Sequence, residues 1–287
     1  MWIAENWTDF ELIDAGKGKK LERWGKQHLL RPDPQAIWPL AKAHEAWAKI
    51  DGVYHRSDKG GGEWQFNRKI PDYWQINYGE LRFKIGTLGF KHTGLFPEQA
   101  ANWDWMTKLI EDTDEEIEVL NLFAYTGGAT LACAKAGAAV THVDASKGMV
   151  NWAKDNMKLS GMEAAPVRFL IDDCLKFVQR ESRRGRKYKG IIMDPPSYGR
   201  GPGGEMWKIE ESLYPLIQAC MTILDENPLF FLINSYTTGL SPSVLGNVLK
   251  LSVGAKYGGQ IEAEEVGLPI TSSGLVLPCG ASGRWQR

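Results

Sequence analysis

Two periodicities divide this chain. From Ile117 onward, short apolar runs recur between longer segments with helical spacing. The runs "IEVLNLF", "AAVTHVD", "PVRFLI", "KGIIMD" and "PLFFLINS" are nearly continuous in apolar residues, as strands covered on both faces of a parallel sheet must be. The intervening "GGATLACAKAGA", "SKGMVNWAKDNMKLSG", "DCLKFVQRESR", "IEESLYPLIQACMTIL" and "PSVLGNVLKLS" read as helices. In the second, Val150, Ala153 and Met157 fall at i, i+3 and i+7 and bury one stripe, and Gly161 can end it in the left-handed conformation. "GGQIEAEEV" and "GLVLPCG" complete seven strands. No helix separates these last two, so they imply an antiparallel hairpin at the sheet edge.

The first ninety residues alternate with the shorter period, as in "YWQINYGELRFKIG", and are broken by the turn clusters "RPDP" and "DKGGGE". One helix is expected at "PQAIWPLAKAHEAWAKI". Nine of the twelve tryptophans fall at or before Trp105, and their burial habit assigns them to a core rather than to a base-stacking platform. "PEQAANWDWMTKLIED" reads as a helix with proline in its first turn. The expected organisation is a β-rich module over 1–90, a linking segment and helix over 91–116, and an α/β domain over 117–287.

Composition adds limits. Hydrophobic content of 43% and charged content of 24% are ordinary for a soluble protein, and the net charge of −1 supplies no global attraction to a polyanion. Locally, Arg180 to Lys189 carries six basic residues and Glu111 to Glu118 six acidic ones. These are either two solvated faces or, for the basic run, a phosphate-facing patch. Cys133, Cys174, Cys220 and Cys279 form neither a CxxC pair nor a zinc pattern, so no metal site is expected. Free thiols point to a reducing compartment. With no signal-like start and no membrane-length apolar segment, a cytoplasmic, unprocessed protein without a membrane partner is expected.

Candidate chemistry gathers where strands end. Gly127 and Gly128 sit where the first strand turns into its helix, so the backbone can approach a ligand facing the helix amino end, although tight packing also explains such a pair. Asp144 ends the second strand, where an acid can accept both hydroxyls of a ribose or simply favour a helix amino end. In "IDDC" an acid can accept from an exocyclic amine such as adenine N6, or Asp172 can cap the next helix. After Asp194, Pro195 and Pro196 lack backbone donors and force the chain out of the sheet.

Taken together, "NLFAYTGG", "HVDAS", "IDDC" and "DPPSYGRG", in that order and spacing, resemble the class I S-adenosylmethionine-dependent methyltransferases, over about residues 90 to 287. "KHTGLFPEQAANW", "NLFAYTGGA" and "DPPS" are similar to the large-subunit ribosomal RNA methyltransferase group that includes cytosine-C5 and guanine-N2 enzymes. The resemblance implies a Rossmann-like seven-stranded sheet with an antiparallel last strand and S-adenosyl-L-methionine as cofactor. It implies that Asn121, Phe123, Tyr125, Thr126 and Gly127 line the methionine half, Asp144, Ala145 and Ser146 the ribose, and Asp172, Asp173 and Cys174 the adenine. Phe96, Pro97 and Gln99 of "TGLFPEQ" would cover the cofactor. Two positions depart from the family pattern: Asn121 replaces the usual acid, and Tyr125 a common glycine.

Methyl transfer is an in-line displacement, so holding the nucleophile in line is the protein's main task. For an exocyclic amine, Asp194 and the Pro195 carbonyl can accept its two hydrogens, Pro196 stiffens the turn, and Tyr198 can stack on the base. A cytosine-C5 enzyme instead needs a thiolate, and the stretch where similar C5 enzymes carry it is "LINSYTTG", with Tyr236 and no cysteine. "GRGPGGE" is expected to be a mobile loop closing over the acceptor. The reading is a methyltransferase acting on a base amine of ribosomal or other structured RNA. Alternatives are methylation of a small molecule or protein, cytosine-C5 chemistry, or a non-catalytic module that binds cofactor and RNA. A nucleotide-binding dehydrogenase is disfavoured because the first loop lacks GxGxxG.

Overall fold

The computed structural model describes the chain apart from residues 43, 58–60, 88–90, 202 and 205. It divides into two compact units: Trp2–Ala101 with Gly267–Cys279, and Met1 with Asn102–Val266 and Gly280–Arg287. The sequence pattern had placed all of 117–287 in one domain. The return segment behaves otherwise because the Thr271 and Ser272 N–H groups donate to the Leu12 and Ile13 carbonyls at 3.0 Å.

In chain order the first elements are β1 (Trp2–Ile3), β2 (Phe10–Gly16), β3 (Lys19–Trp24), β4 (Gln27–Pro32), β5 (Gly52–Arg56), β6 (Gly62–Phe66), β7 (Tyr73–Tyr78) and β8 (Leu81–Gly86). Strands β2 to β6 form one sheet in sequence order, and β7 pairs with β8 as the alternation of "YWQINYGELRFKIG" predicts. Trp24, Ile13, Leu21 and Leu29 are buried in this unit, and no tryptophan of the chain is among the exposed large hydrophobic side chains. The helix expected over "PQAIWPLAKAHEAWAKI" does not form. Only a 3₁₀ turn, Glu45–Ala48, appears there, and Ala43 lies outside the described residues. Pro34 and Pro39 interrupt any helical ladder, and the Ala36 and Trp38 carbonyls instead accept from Gly18 and Lys17 N–H.

The remaining elements are α1 (Ala100–Glu111), β9 (Glu118–Leu122), α2 (Gly128–Lys135), β10 (Ala139–Asp144), α3 (Lys147–Leu159), β11 (Val167–Ile171), α4 (Cys174–Arg183), β12 (Gly190–Met193), β13 (Tyr198–Arg200), β14 (Met206–Lys208), α5 (Ile209–Met221), β15 (Phe230–Ser235), α6 (Pro242–Leu249), α7 (Ala255–Tyr257), β16 (Gln260–Pro269) and β17 (Val276–Gln286). A π-helical turn, Lys250–Gly254, joins α6 to α7. The main sheet has the order β1-β16-β17-β15-β12-β9-β10-β11, with β17 antiparallel to β15. The seven expected strands are all present. An eighth, β1, extends the edge beyond β16; two residues are too few to show a periodicity.

Alternation along the strands sorts the layers. Leu120, Leu122, Val143, Ile191, Met193, Phe231 and Ile233 share one core with Phe177 and Val178 of α4 and Leu213, Leu216 and Ile217 of α5. The alternate residues include polar groups that satisfy one another: Asn121 Nδ2 donates to Thr130 Oγ1 at 2.9 Å, which meets His142 Nδ1 at 2.9 Å. Further along that layer, Ser282 Oγ donates to Asn234 Oδ1 at 2.6 Å and Arg284 Nε to Asn102 Oδ1 at 2.8 Å. Burial brings the Arg284 guanidinium down to about 9.

Four of the six basic side chains of Arg180 to Lys189 pair with nearby acids. Arg186 Nη2 lies 3.2 Å from Glu118 Oε2, Arg184 Nη1 lies 2.9 Å from Glu181 Oε1, and Lys189 pairs with Glu115. Arg186 to Lys189 lead into the amino end of β12, which lies level with the amino end of β9. Among the described residues no helix is long and apolar enough to cross a membrane, and no group of three His, Cys, Asp or Glu side chains could hold a metal.

Candidate active site

The parallel strands end level. Leu122 is in register with Val143 and Met193, Met193 with Ile233, and Asp144 with Ile171. The residues that follow therefore emerge along one carboxyl edge. The chain runs from β9 to β10 and β11 on one side, then returns to β12 and β15 on the other. That reversal between β9 and β12 is the switch point at which open α/β sheets bind ligands.

The loop after β9 is held in an unusual conformation. Phe123 has φ 55°, Tyr125 φ 51° and Gly127 φ 87°, so every second residue is left-handed. For the two aromatic residues this costs about 1–2 kcal/mol each. Surrounding contacts fix it: Tyr125 N–H donates to Asp144 Oδ2 at 2.8 Å, Ala124 N–H to the Val143 carbonyl at 3.1 Å, and Asn156 Nδ2 to the Thr126 carbonyl at 2.8 Å. Gly127 immediately precedes α2, whose amino end no side chain caps. A Cβ on Gly128 would stand 2.4 Å from Trp103 Cζ2, so this glycine is required by packing.

Asp144 Oδ1 accepts from Ser146 N–H at 2.8 Å, and Ser146 Oγ caps α3. Burial raises the Asp144 carboxyl above its ordinary value, and the Ser146 and Tyr125 N–H groups act in the opposite direction. At the next strand end, Asp173 rather than Asp172 caps α4, accepting from Lys176 N–H at 2.9 Å. Asp172 accepts from Asp173 N–H at 2.9 Å and pairs with Arg180. The Asp172 N–H donates to the Asp144 carbonyl at 3.1 Å, which ties this strand end to the one beside it.

On the other side of the switch point, Asp194 N–H donates to the Leu122 carbonyl at 3.4 Å, placing the Asp-Pro-Pro turn beside the left-handed loop. "GRGPGGE" was expected to be a mobile loop. On either side of its tip the chain forms an antiparallel hairpin, β13 with β14, pairing Tyr198 with Lys208, Gly199 with Trp207 and Arg200 with Met206; Pro202 and Glu205 lie outside the described residues. Trp207 Nε1 donates to the Pro196 carbonyl at 2.6 Å, and its ring lies 4.8 Å from that of Phe123. Ser197 Oγ and Thr237 Oγ1 are 2.6 Å apart. Trp207 thus joins the Asp-Pro-Pro turn to the loop after β9. No periodicity in "EMWK" singled it out, and nothing in a phenylalanine announces the positive φ of Phe123.

The edge brings together Phe123, Tyr125, Thr126 and Gly127, Asp144 to Ser146, Asp172 to Cys174, and Asp194 to Tyr198. Asn121, expected to line the cofactor, is buried, because alternation puts it on the face of the sheet covered by α2, where it bonds Thr130. Phe96, Pro97 and Gln99 belong to the other compact unit, where Pro97–Gln99 is a 3₁₀ turn whose Pro97 carbonyl accepts from Trp7 Nε1 at 2.9 Å. All four thiols are raised by burial: Cys133 to about 12, and Cys174, Cys220 and Cys279 higher than a free thiol. Lys20 acts in the opposite direction on Cys279, and burial outweighs it.

A doubly wound sheet with an antiparallel final strand, a glycine-ended loop at the switch point and acids on successive strand ends defines a Rossmann-like methyltransferase architecture. A family model described as S-adenosylmethionine-dependent methyltransferase matches residues 40–205, more than half of the chain, and the chain belongs to that family. It is 36% identical to an S-adenosylmethionine-dependent methyltransferase from Agrobacterium tumefaciens, whose crystal structure superposes with a TM-score of 0.93 over 98% of this chain and 91% of that one. It is 34% identical over 172 residues, 59% of its length, to the ribosomal RNA large subunit methyltransferase K/L of Shewanella frigidimarina, and covers 23% of that protein. To the ribosomal RNA large subunit methyltransferase K of Neisseria meningitidis it is 26% identical over 225 residues, 75% of this chain and 62% of that protein. The chain thus spans less than two thirds of either curated relative.

Proposed function

We propose that this protein transfers a methyl group from S-adenosylmethionine to an exocyclic amine of a base in ribosomal or other structured RNA. The observation that carries the reading is the Asp194-Pro195-Pro196 turn, bonded to the Leu122 carbonyl at the switch point and braced by Trp207. The cofactor supplies an electrophilic methyl on a sulfonium. The residues at the edge suit it: the uncapped amino end of α2 suits a carboxylate, Asp144 the ribose hydroxyls and Asp172 the adenine amine.

Asp194 and the Pro195 carbonyl accept the two amine hydrogens and direct the nitrogen lone pair toward the methyl carbon. Because both prolines fix their φ angles, these acceptors need little reorganisation during reaction. The names of the two curated relatives support RNA as the substrate class, and the buried, protonated thiols support direct attack by nitrogen over a C5 adduct. The test is transfer of labelled methyl from S-adenosylmethionine to unmodified large-subunit ribosomal RNA transcripts, with the product nucleoside identified by mass spectrometry. We expect an N-methylated base, and loss of at least a hundredfold in single-turnover rate in Asp194→Ala with S-adenosylhomocysteine affinity retained. A C5-methylated product would overturn the amine assignment. Label that enters only protein or small molecules would overturn the RNA assignment.

A further inference from the structure

The hairpin after the Asp-Pro-Pro turn has two unlike faces. Residues paired across an antiparallel ladder share a face, and alternate residues along each strand do too. Gly199 and Trp207 therefore face one way, and Trp207 is spent on Pro196 and Phe123. Tyr198, Arg200, Met206 and Lys208 face the other way, and all four are exposed. Tyr198 and Met206 are each 54% exposed, although the two lie against each other, with the Tyr198 hydroxyl 3.2 Å from Met206 Sδ. The register sets the tyrosine and methionine on one diagonal and the two cations on the other.

This side of the hairpin covers no core, so folding does not account for a half-exposed tyrosine and methionine there. The base of the hairpin is held by Ile209 N–H on the Ser197 carbonyl at 3.1 Å, and the surface continues directly from the proposed acceptor site at Asp194. We propose that the outer face of this hairpin binds single-stranded RNA flanking the methylated base. Tyr198, with Met206 beside it, receives a stacked base, and Arg200 and Lys208 meet the phosphates on either side of it. Lys208 Nζ lies 3.0 Å from Glu211 Oε1, but an exposed i,i+3 pair of this kind is weak and a phosphate can replace it. An unpaired strand is favoured over a duplex because a protruding aromatic ring needs an unstacked base. The inference extends the RNA reading above.

Binding is tested apart from methyl transfer, by fluorescence anisotropy of a labelled single-stranded RNA dodecamer with S-adenosylhomocysteine present. The wild type is expected to bind, and an unlabelled duplex to compete poorly. Tyr198→Ala should weaken binding at least fivefold. Arg200→Glu with Lys208→Glu should weaken it at least tenfold and flatten the slope of log affinity against log salt by about 1.4, at about 0.7 per phosphate contact on a single strand. S-adenosylhomocysteine affinity within twofold of wild type shows that each variant is folded. Unchanged RNA affinity and salt slope in these variants, or no RNA binding by the wild type, overturns the inference. Hairpin-dependent RNA binding without methyl transfer would instead overturn the proposed reaction and leave the surface assigned.

Discussion

Asp144→Asn isolates one charge without changing shape. In the protein each carboxylate oxygen accepts one backbone hydrogen bond, Oδ2 from Tyr125 and Oδ1 from Ser146, both at 2.8 Å. The amide keeps one acceptor and turns an NH₂ group toward the other N–H, so one bond is lost and its donor is left facing a donor. Hydrogen bonds to charged groups contribute about 1.5–3 kcal/mol, and a ribose hydroxyl donating to this carboxylate falls in that class. Affinity for S-adenosylhomocysteine should therefore drop about 10- to 150-fold, read by isothermal titration. The pH dependence has a definite sign. Burial raises the Asp144 carboxyl in the folded protein. That shift stabilises the ligand-free fold below the unfolded pKa, and the contribution is lost as pH rises through the folded value. Cofactor binding needs the carboxylate, so affinity weakens as pH falls through the raised value, above the range of an ordinary aspartate, and the asparagine variant lacks this acid limb. Equal affinities for wild type and variant across that range would remove Asp144 from the cofactor site.

Replacing all four cysteines by alanine should leave methyl transfer within a few-fold of wild type, since burial holds every thiol protonated; a folded but inactive cysteine-free protein would restore covalent catalysis as the mechanism. Burial lowers His142 to about 3, so the neutral ring contributes stability above the ordinary histidine value that is lost as pH falls from about 6.5 toward 3, up to about 4–5 kcal/mol. Thermal melts of His142→Gln should accordingly show a shallower acid limb, and superimposable limbs would show that the ring does not stay neutral. Reversing Arg183, Arg184, Arg186 and Lys187 should leave the salt slope of RNA binding unchanged, because these residues lie away from the carboxyl edge; a flatter slope would return the run to the RNA interface.

The α/β order was legible because parallel strands are buried on both faces and leave unbroken apolar runs, which the helical stripes then separate. Three features were not. Helix propensity in "PQAIWPLAKAHEAWAKI" was overridden by two prolines and by the use of the Ala36 and Trp38 carbonyls in a turn. The pairing of the tripeptides beside "GRGPGGE" was not foreseen, because three residues are too few for alternation to declare itself. Asn121 fell in a recognisable motif, but a motif does not record which way an alternating strand points each side chain. At the site, types and order of residues were readable, and the contacts that lock them were not. Trp207 is the clearest case, because its importance comes from a carbonyl and a ring that its own segment does not contain.

The pairing of the charge runs bears on how an RNA could be held. With a net charge of −1 over the whole chain and with Arg180, Arg184, Arg186 and Lys189 all engaged by Asp172, Glu181, Glu118 and Glu115, the protein lacks the broad basic field that drives non-specific nucleic-acid binding. Acceptor recognition must then draw on a few contacts close to the reacting atom. Two cations and a stacking ring on a braced hairpin give modest affinity and a shallow salt dependence. They also favour substrates in which the acceptor base is already unpaired, because little binding energy is left over to extract a base from a helix, a step that costs a few kcal/mol. A protein built this way selects by the exposure of the base more than by the charge of the RNA, and the braces from Trp207 to Pro196 and Phe123 make acceptor binding and the shape of the loop after β9 parts of one structure.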